Sequence, residues 1–337
     1  MCNADDTDYF NGKIIKLCAD ITYNSGNAED WAEEAPTNKW TPLTFKGTLD
    51  GQGHTISGIY AKSGSHTGLF NTINSGATVR NLKLLNSYFE CTKTGTGRTG
   101  AGSIAGQHKG TIDTVYSDAI VVKNTALMTG GIAGMVIDAE NALITNCWFD
   151  GILDVSGTSC GGILGGIYGY EMNTKATIEH CLNSGEIRTV AGTKRLHGGI
   201  CGYVHTKSSL SLSDSLNAGS YVIKNSGTVT QVGTIVGGLN NNTGTQTLSN
   251  VYGVTEFKDT CVGYTKADAT VVGEENQDYF KASKDTYFGK GASGLSFYAD
   301  GQSSANDGDT KTCWWSAREG KLPMLESFLS FASELGK

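Results

Sequence analysis

Apolar and small residues recur along this chain in two alternating beats. The first pairs glycine with a central aliphatic: Thr67-Gly68-Leu69-Phe70, Gly102-Ser103-Ile104-Ala105-Gly106, Gly130-Gly131-Ile132-Ala133-Gly134, Gly161-Gly162-Ile163-Leu164-Gly165, Gly198-Gly199-Ile200-Cys201-Gly202 and Gly233-Thr234-Ile235-Val236-Gly237. The aliphatics stand at 69, 104, 132, 163, 200 and 235, so the spacings are 35, 28, 31, 37 and 35. A constant motif at an elastic period is what loops inserted between fixed strands produce. The second beat reads TVRNLKL from Thr78, TIDTVYS from Thr111, LITNCWF from Leu143, TIEHCLN from Thr177, SLSDSLN from Ser211 and TLSNVYG from Thr247. It carries one apolar column (Val79, Ile112, Ile144, Ile178, Leu212, Leu248) and, three residues on, an apolar or small one (Leu82, Val115, Cys147, Cys181, Ser215, Val251). Between them runs a polar column: Asn81, Thr114, Asn146, His180, Asp214 and Asn250.

Each beat alternates over strand length and is rich in Ile, Thr, Val and Gly, which helices disfavour. Equivalent side chains recurring at one period predict ladders of stacked strands about 4.8 Å apart. The pattern therefore predicts an all-β protein, a right-handed parallel β-helix (β-solenoid); a β-propeller is the alternative. The repeats occupy 45–257, with N-terminal cap strands over 1–44 and a C-terminal cap over 258–337. A stack of coils needs covered ends. KIIKLCADITY, Trp31 and Trp40 are the N-terminal material for this. Phe280, Phe288, Trp314, Trp315 and MLESFLSFASEL are the C-terminal material, the last with helical spacing suited to covering the final coil.

The segment FKGTLDGQGHTISGIY from Phe45, followed by TGLFNTINSGATVRNLKL, resembles the opening of bacterial cell-surface proteins with GLUG repeats. Such repeats occur in immunoglobulin A protease-like surface proteins and adhesins. NCWFDGILDVSG, HCLNSGEIRTVAG and DSLNAGSYVIKNSG are similar to the linking segments of that family, and WWSAREGKLPMLESF to its closing strand. The resemblance implies a β-solenoid at the bacterial cell surface, acting as an adhesin or as a binding or stalk module for glycan or host protein. It does not bring a protease with it, because no His-Glu-x-x-His occurs.

Composition narrows the chemistry. A net charge of −7 argues against nucleic acid, whose phosphates need basic patches. No run of 18 apolar residues is present, so no membrane insertion is expected. The opening MCNADDTDYF shows no signal-peptide pattern. The glycine beats lack the Lys-Ser/Thr and the following helix of a phosphate cradle, and they recur where a cofactor site would occur once. Neither cofactor nor metal is expected. The nine cysteines lack zinc-type pairs. Cys147 and Cys181 share one column and Cys201 another, as small core residues or as a cross-coil disulfide. Cys2 with Cys18 is a second candidate pair.

Two sets of residues remain as sites. Many β-helices act on polysaccharides, and that chemistry needs paired carboxylates. Asp118, Asp150, Asp154 and Glu186 are the candidates for it, although the balance of features is against an enzyme. The loops after the glycine beats vary most, and in a solenoid such loops mark the binding face. There Tyr168, Tyr170, Tyr203 and His205 form a candidate aromatic and polar strip for sugars or peptides. Beside the adhesin reading stand two others: a carbohydrate-active glycosidase or lyase, and a purely structural surface or filament component that self-associates.

Overall fold

The computed structural model describes residues 10–93, 98–123, 128–193, 195–240, 244–258, 260–266, 270–272, 279–282, 315–316 and 324–335. Four parallel sheets run the length of a stack of coils, with 14, 6, 5 and 7 strands among the described residues. In each coil the chain visits them in one order, here numbered I to IV. In one coil the strands are Thr111–Ser117 (I), Ile120–Lys123 (II), Met128–Gly130 (III) and Ala133–Ile137 (IV). Every strand of these sheets pairs in parallel with its counterpart one coil away, as Thr111–Ser117 does with Thr78–Leu85 on one side and with Ala142–Thr145 on the other. A propeller blade would pair consecutive strands antiparallel, so the chain is a β-solenoid and the propeller alternative falls.

The register confirms the sequence columns. Val79, Ile112, Ile144, Ile178, Leu212 and Leu248 stack in order through sheet I and are all buried. The central aliphatics of the glycine beats, Leu69 to Ile235, are equally buried and fill the interior opposite. Cys201 lies in the column of Ala105, Ala133, Leu164 and Val236.

In three of the six beats the residue before the central aliphatic is a glycine that faces the corner residue where sheet I turns into sheet II. A Cβ on Gly131 would lie 2.3 Å from Phe149 Cγ, one on Gly162 2.3 Å from Asn183 Nδ2, and one on Gly199 1.9 Å from Asn217 Nδ2. Where the corner is Gly253, the facing position carries Thr234 instead, and a Cβ on Gly253 would meet that threonine at 2.5 Å. The corner asparagines repay the space. Asn183 Nδ2 donates to Asn217 Oδ1 (2.8 Å), and Asn217 Nδ2 donates to the Thr234 carbonyl (2.8 Å), all within the core.

The polar column has a different cause from the one the ladder reading gave it. Asn81, Thr114, Asn146, His180, Asp214 and Asn250 all adopt left-handed backbone, with φ between 46° and 54°. Each inserts a kink that changes strand parity, so residues three apart, such as Val79 and Leu82, both point inward. Asn and Asp tolerate this conformation best. The ladders follow from it: Asn81, Asn146 and Asn250 donate from Nδ2 to Asp50, Asp113 and Asp214 at 2.9–3.1 Å.

The ends extend the stack and also flank it. Ile14–Lys16 pairs with Thr48–Asp50 as a first rung of sheet I, and Thr270–Val272 and Tyr279–Ala282 add to its other edge. The 3-10 turn Ala28–Ala32 lays Trp31 against Tyr60 on the outer face of sheet II. The helix Leu329–Glu334 does not cover the final coil. It lies on the flank of sheet I, where Phe331 meets Tyr116 (4.8 Å between rings) and Phe328 meets Trp148 (6.0 Å). Tyr116 and Trp148 belong to an outward column continued by Leu182, Leu216 and Tyr252, which is apolar and buried. That column gives the closing segment an apolar seat. Cys2, Phe288 and Trp314 lie outside the described residues.

Candidate functional site: an aromatic strip on sheet IV

Sheet IV presents Leu164–Tyr168, Cys201–Val204 and Val236–Leu239 in successive coils. Alternation turns Ile167, Val204 and Leu239 into the core and leaves Gly166, Tyr203 and Gly238 facing outward in one register row. The next outward row holds Tyr168 and, one coil on, His205, whose N–H continues the ladder to the Ile167 carbonyl (2.9 Å). The Tyr168 and His205 rings lie 4.2 Å apart, and the Tyr203 and His205 rings meet edge to face at 5.4 Å. The glycines on both sides of Tyr203 make room for side chains that lie over the sheet: a Cβ on Gly166 would meet Met128 at 2.9 Å, and one on Gly238 would meet Leu196 at 2.4 Å and the Tyr203 ring at 3.2 Å.

Tyr170 joins the strip through a turn held by Asp138, whose Oδ1 accepts from the backbone N–H groups of Tyr170 and Glu171, both at 2.8 Å. Burial acts to raise the Asp138 pKa, but these donors outweigh it and hold the carboxyl below its usual range. Tyr170 is 53% exposed. The four residues picked from the sequence are thus brought together. Arg98, which is not among the residues the sequence pattern points to, completes the group. Its guanidinium carbon sits 4.4 Å from the Tyr168 ring centroid and 3.6 Å from that of Tyr170, and Nη2 donates to Tyr168 Oη (3.3 Å). Burial and then the Arg98 charge lower the His205 pKa, so at neutral pH the ring in this stack is uncharged. Burial raises the Tyr203 pKa, opposed by a hydrogen bond with Asn240.

The result is a ledge of flat rings with polar tips and one cation, with Tyr170 exposed and Tyr168, Tyr203 and His205 half-buried. Two clefts, of about 540 Å³ along Tyr23–Asn38 and about 420 Å³ beneath Ser327 and Phe328, lie elsewhere and include none of these residues.

The four acids fall into two groups, each engaged within the fold. Asp118 and Asp150 follow the paired residues Ser117 and Phe149 at the corner after sheet I. Asp118 Oδ1 accepts from Asn86 N (2.7 Å); Asp150 accepts from Tyr116 Oη (3.1 Å) and Ser184 Oγ (2.6 Å). Asp154 and Glu186 stand on the outer face of sheet II, where Asp154 pairs with Lys224 (2.5 Å) and Glu186 with Arg188. Each of the four thus has a protein partner on at least one carboxylate oxygen.

The buried thiols are equally committed to the core. Cys147 Sγ donates to the Thr145 carbonyl (3.1 Å) and Cys181 Sγ to that of Glu179 (3.2 Å). Burial pushes the Cys147 thiol well up and that of Cys201 to about 12, the opposite of what a nucleophile needs.

No family model matches the chain, so the GLUG resemblance is carried by the quoted residues. The chain is similar to halomucin of Haloquadratum walsbyi, 28% identical over 184 residues that make up 51% of this chain and 2% of halomucin. It therefore spans a small fraction of that relative's length. Its fold is similar to the crystal structure of a candidate immunoglobulin A1 protease from Bacteroides ovatus, with a TM-score of 0.57 at 17% identity, covering 94% of this chain and 86% of the other. At that identity the likeness is one of fold.

Proposed function

We propose that this chain is an extracellular binding module of a bacterial surface protein, holding glycan on the sheet IV ledge. The observation that carries this reading is the union of Tyr168, Tyr170, Tyr203 and His205 from successive coils into one outward strip. Flat rings with polar tips suit the alternating apolar and hydroxylated faces of sugars. A rigid solenoid holds such rings at fixed intervals without an ordering cost on binding. The bacterial fold neighbour supports an extracellular setting, since its named target, immunoglobulin A1, is found outside cells. The acids point away from catalysis because each already has a protein partner.

Glycan-array binding of the intact chain tests this. Tyr170→Ala and Tyr203→Ala are expected to lower the array signal at least ten-fold, while Asp154→Asn on sheet II leaves it unchanged. Binding that survives both tyrosine substitutions, or no glycan bound at all, would sink the proposal.

A further inference from the structure

We infer that the ledge selects sugars bearing a carboxylate, with Arg98 as its receptor; this rests on the ledge being the glycan site. The other described arginines are spent on the fold. Arg80 pairs with Asp50, Arg188 with Glu186, and Arg195 donates to the carbonyls of Gly157 (3.1 Å) and Ala191 (3.4 Å). Arg98 has no carboxylate or carbonyl partner among the described residues. It is held by ring faces instead, at 4.4 Å and 3.6 Å.

That mode of holding matters. Cation–π contact uses the flat face of a guanidinium and leaves its edge available. A guanidinium has five N–H groups, and one is given to Tyr168 Oη. Four remain, and two parallel ones are what a carboxylate takes in fork-to-fork pairing. The side chain is half-buried between its rings, so the fork is positioned before a ligand arrives. The acids of the adjoining turn do not fill it. Asp138 spends Oδ1 on backbone N–H groups and faces the Lys109 charge, and Glu171 is exposed. A carboxylated sugar would set its acid on the Arg98 edge and its ring on the half-exposed Tyr170. The Tyr203–Asn240 hydrogen-bonded pair and His205, whose Nδ1 faces Thr206 Oγ1 at 2.9 Å, are the polar groups nearest to its hydroxyls.

Isothermal titration of the full chain with matched pairs of sugars tests this. One pair is 3′-sialyllactose against lactose, for an animal source. The other is tetragalacturonate against maltotetraose, for a plant source. The expected result is that at least one charged sugar binds ten-fold or more tighter than its neutral partner. Arg98→Gln should erase that preference, and Arg98→Lys, which keeps charge but not the planar fork, should restore less than half of it. Unchanged circular dichroism and thermal midpoint in both variants would separate lost recognition from lost fold. Equal binding of charged and neutral sugars, indifferent to Arg98→Gln but lost in Tyr203→Ala, overturns the carboxylate inference and leaves the ledge standing. Absence of binding to all four sugars and across the glycan array overturns both.

Discussion

Gly199→Ala is expected to cost the fold about 3–5 kcal/mol, and Asn217→Gly in the same chain to return part of it. A methyl group at 199 would lie 1.9 Å from Asn217 Nδ2 and 2.2 Å from the Thr234 carbonyl oxygen. Asn217 cannot swing away freely. Its Nδ2 donates to Thr234 O (2.8 Å), and its Oδ1 accepts from Asn183 Nδ2 (2.8 Å) and Gly219 N (3.1 Å). Accommodating the methyl therefore combines overpacking, about 1–3 kcal/mol, with breaking buried hydrogen bonds, about 1–3 kcal/mol more. The chain already contains the compensated form. One coil on, the corner is Gly253 and the facing residue is Thr234, whose Cβ fits. The double variant should thus be more stable than the sum of the single costs by at least about 1 kcal/mol, read from urea unfolding midpoints in a double-mutant cycle. Additivity within about 0.5 kcal/mol would show that the two positions do not share one space. Gly64→Ala is the control. No atom lies within 4 Å of a Cβ placed there, and a change under about 0.5 kcal/mol is expected.

This pairing also shows what the sequence reveals and what it hides. The inward columns are legible because a solenoid repeats its register: Val79 to Leu248 and Leu69 to Ile235 are visible as recurring aliphatics and prove to be stacked and buried. The tyrosine strip was legible for the same reason, since Tyr168, Tyr170, Tyr203 and His205 follow equivalent beats. The polar column was visible but its cause was not. A column of Asn, Thr, His and Asp looks like a hydrogen-bonding ladder, whereas its shared feature is a left-handed backbone. The three-residue spacing between Val79 and Leu82 was the available signal, because an unbroken strand would space inward residues by two. Arg98 left only a faint periodic trace: it stands six residues before Ile104, Lys194 and Arg195 stand six and five before Ile200, and the other beats carry no cation six residues before the aliphatic. It reaches Tyr168 from 70 residues away. The closing helix announced its apolar spacing but not its destination. Its seat is an outward column, Tyr116 and Trp148 among others, that strand parity places on the surface.

Acid is expected to unfold this chain well above the range in which its carboxylates titrate. Two histidines are buried uncharged. His197 lies within the stack, with its two ring nitrogens on Tyr221 Oη (2.8 Å) and the Gly157 carbonyl (3.2 Å). The carbonyl can only accept, so Nε2 carries the proton and Nδ1 takes the tyrosine hydroxyl. His108 stands in an inward column with Ile73 and Val136 and donates from Nε2 to the Leu143 carbonyl (3.1 Å). Burial lowers the pKa of His108 from 6.5 to about 4 and that of His197 from 6.5 to about 3. Both folded values lie below the unfolded one, so the unfolded chain binds protons first. Stability is then complete above pH 6.5 and falls as pH drops through 6.5 toward 4. At 1.36 kcal/mol per unit, each histidine removes at most about 3 kcal/mol by pH 4. Asp50, which hydrogen bonds from Gln52, Asn81 and Arg80 hold well below its usual range against the opposing effect of burial, begins to lose its stabilising contribution only as pH falls below about 3.8. The two windows therefore separate. Urea unfolding of the native chain from pH 7.5 to 4.5 should show a stability loss that begins near pH 6.5. His108→Val matches its column neighbours and removes one titrating group. It should lower stability by about 1 kcal/mol at pH 7.5, through the lost hydrogen bond to Leu143, and flatten the acid slope. The variant should overtake the native chain before pH 4.5. A variant whose slope matches the native one would place the acid sensitivity in some other group.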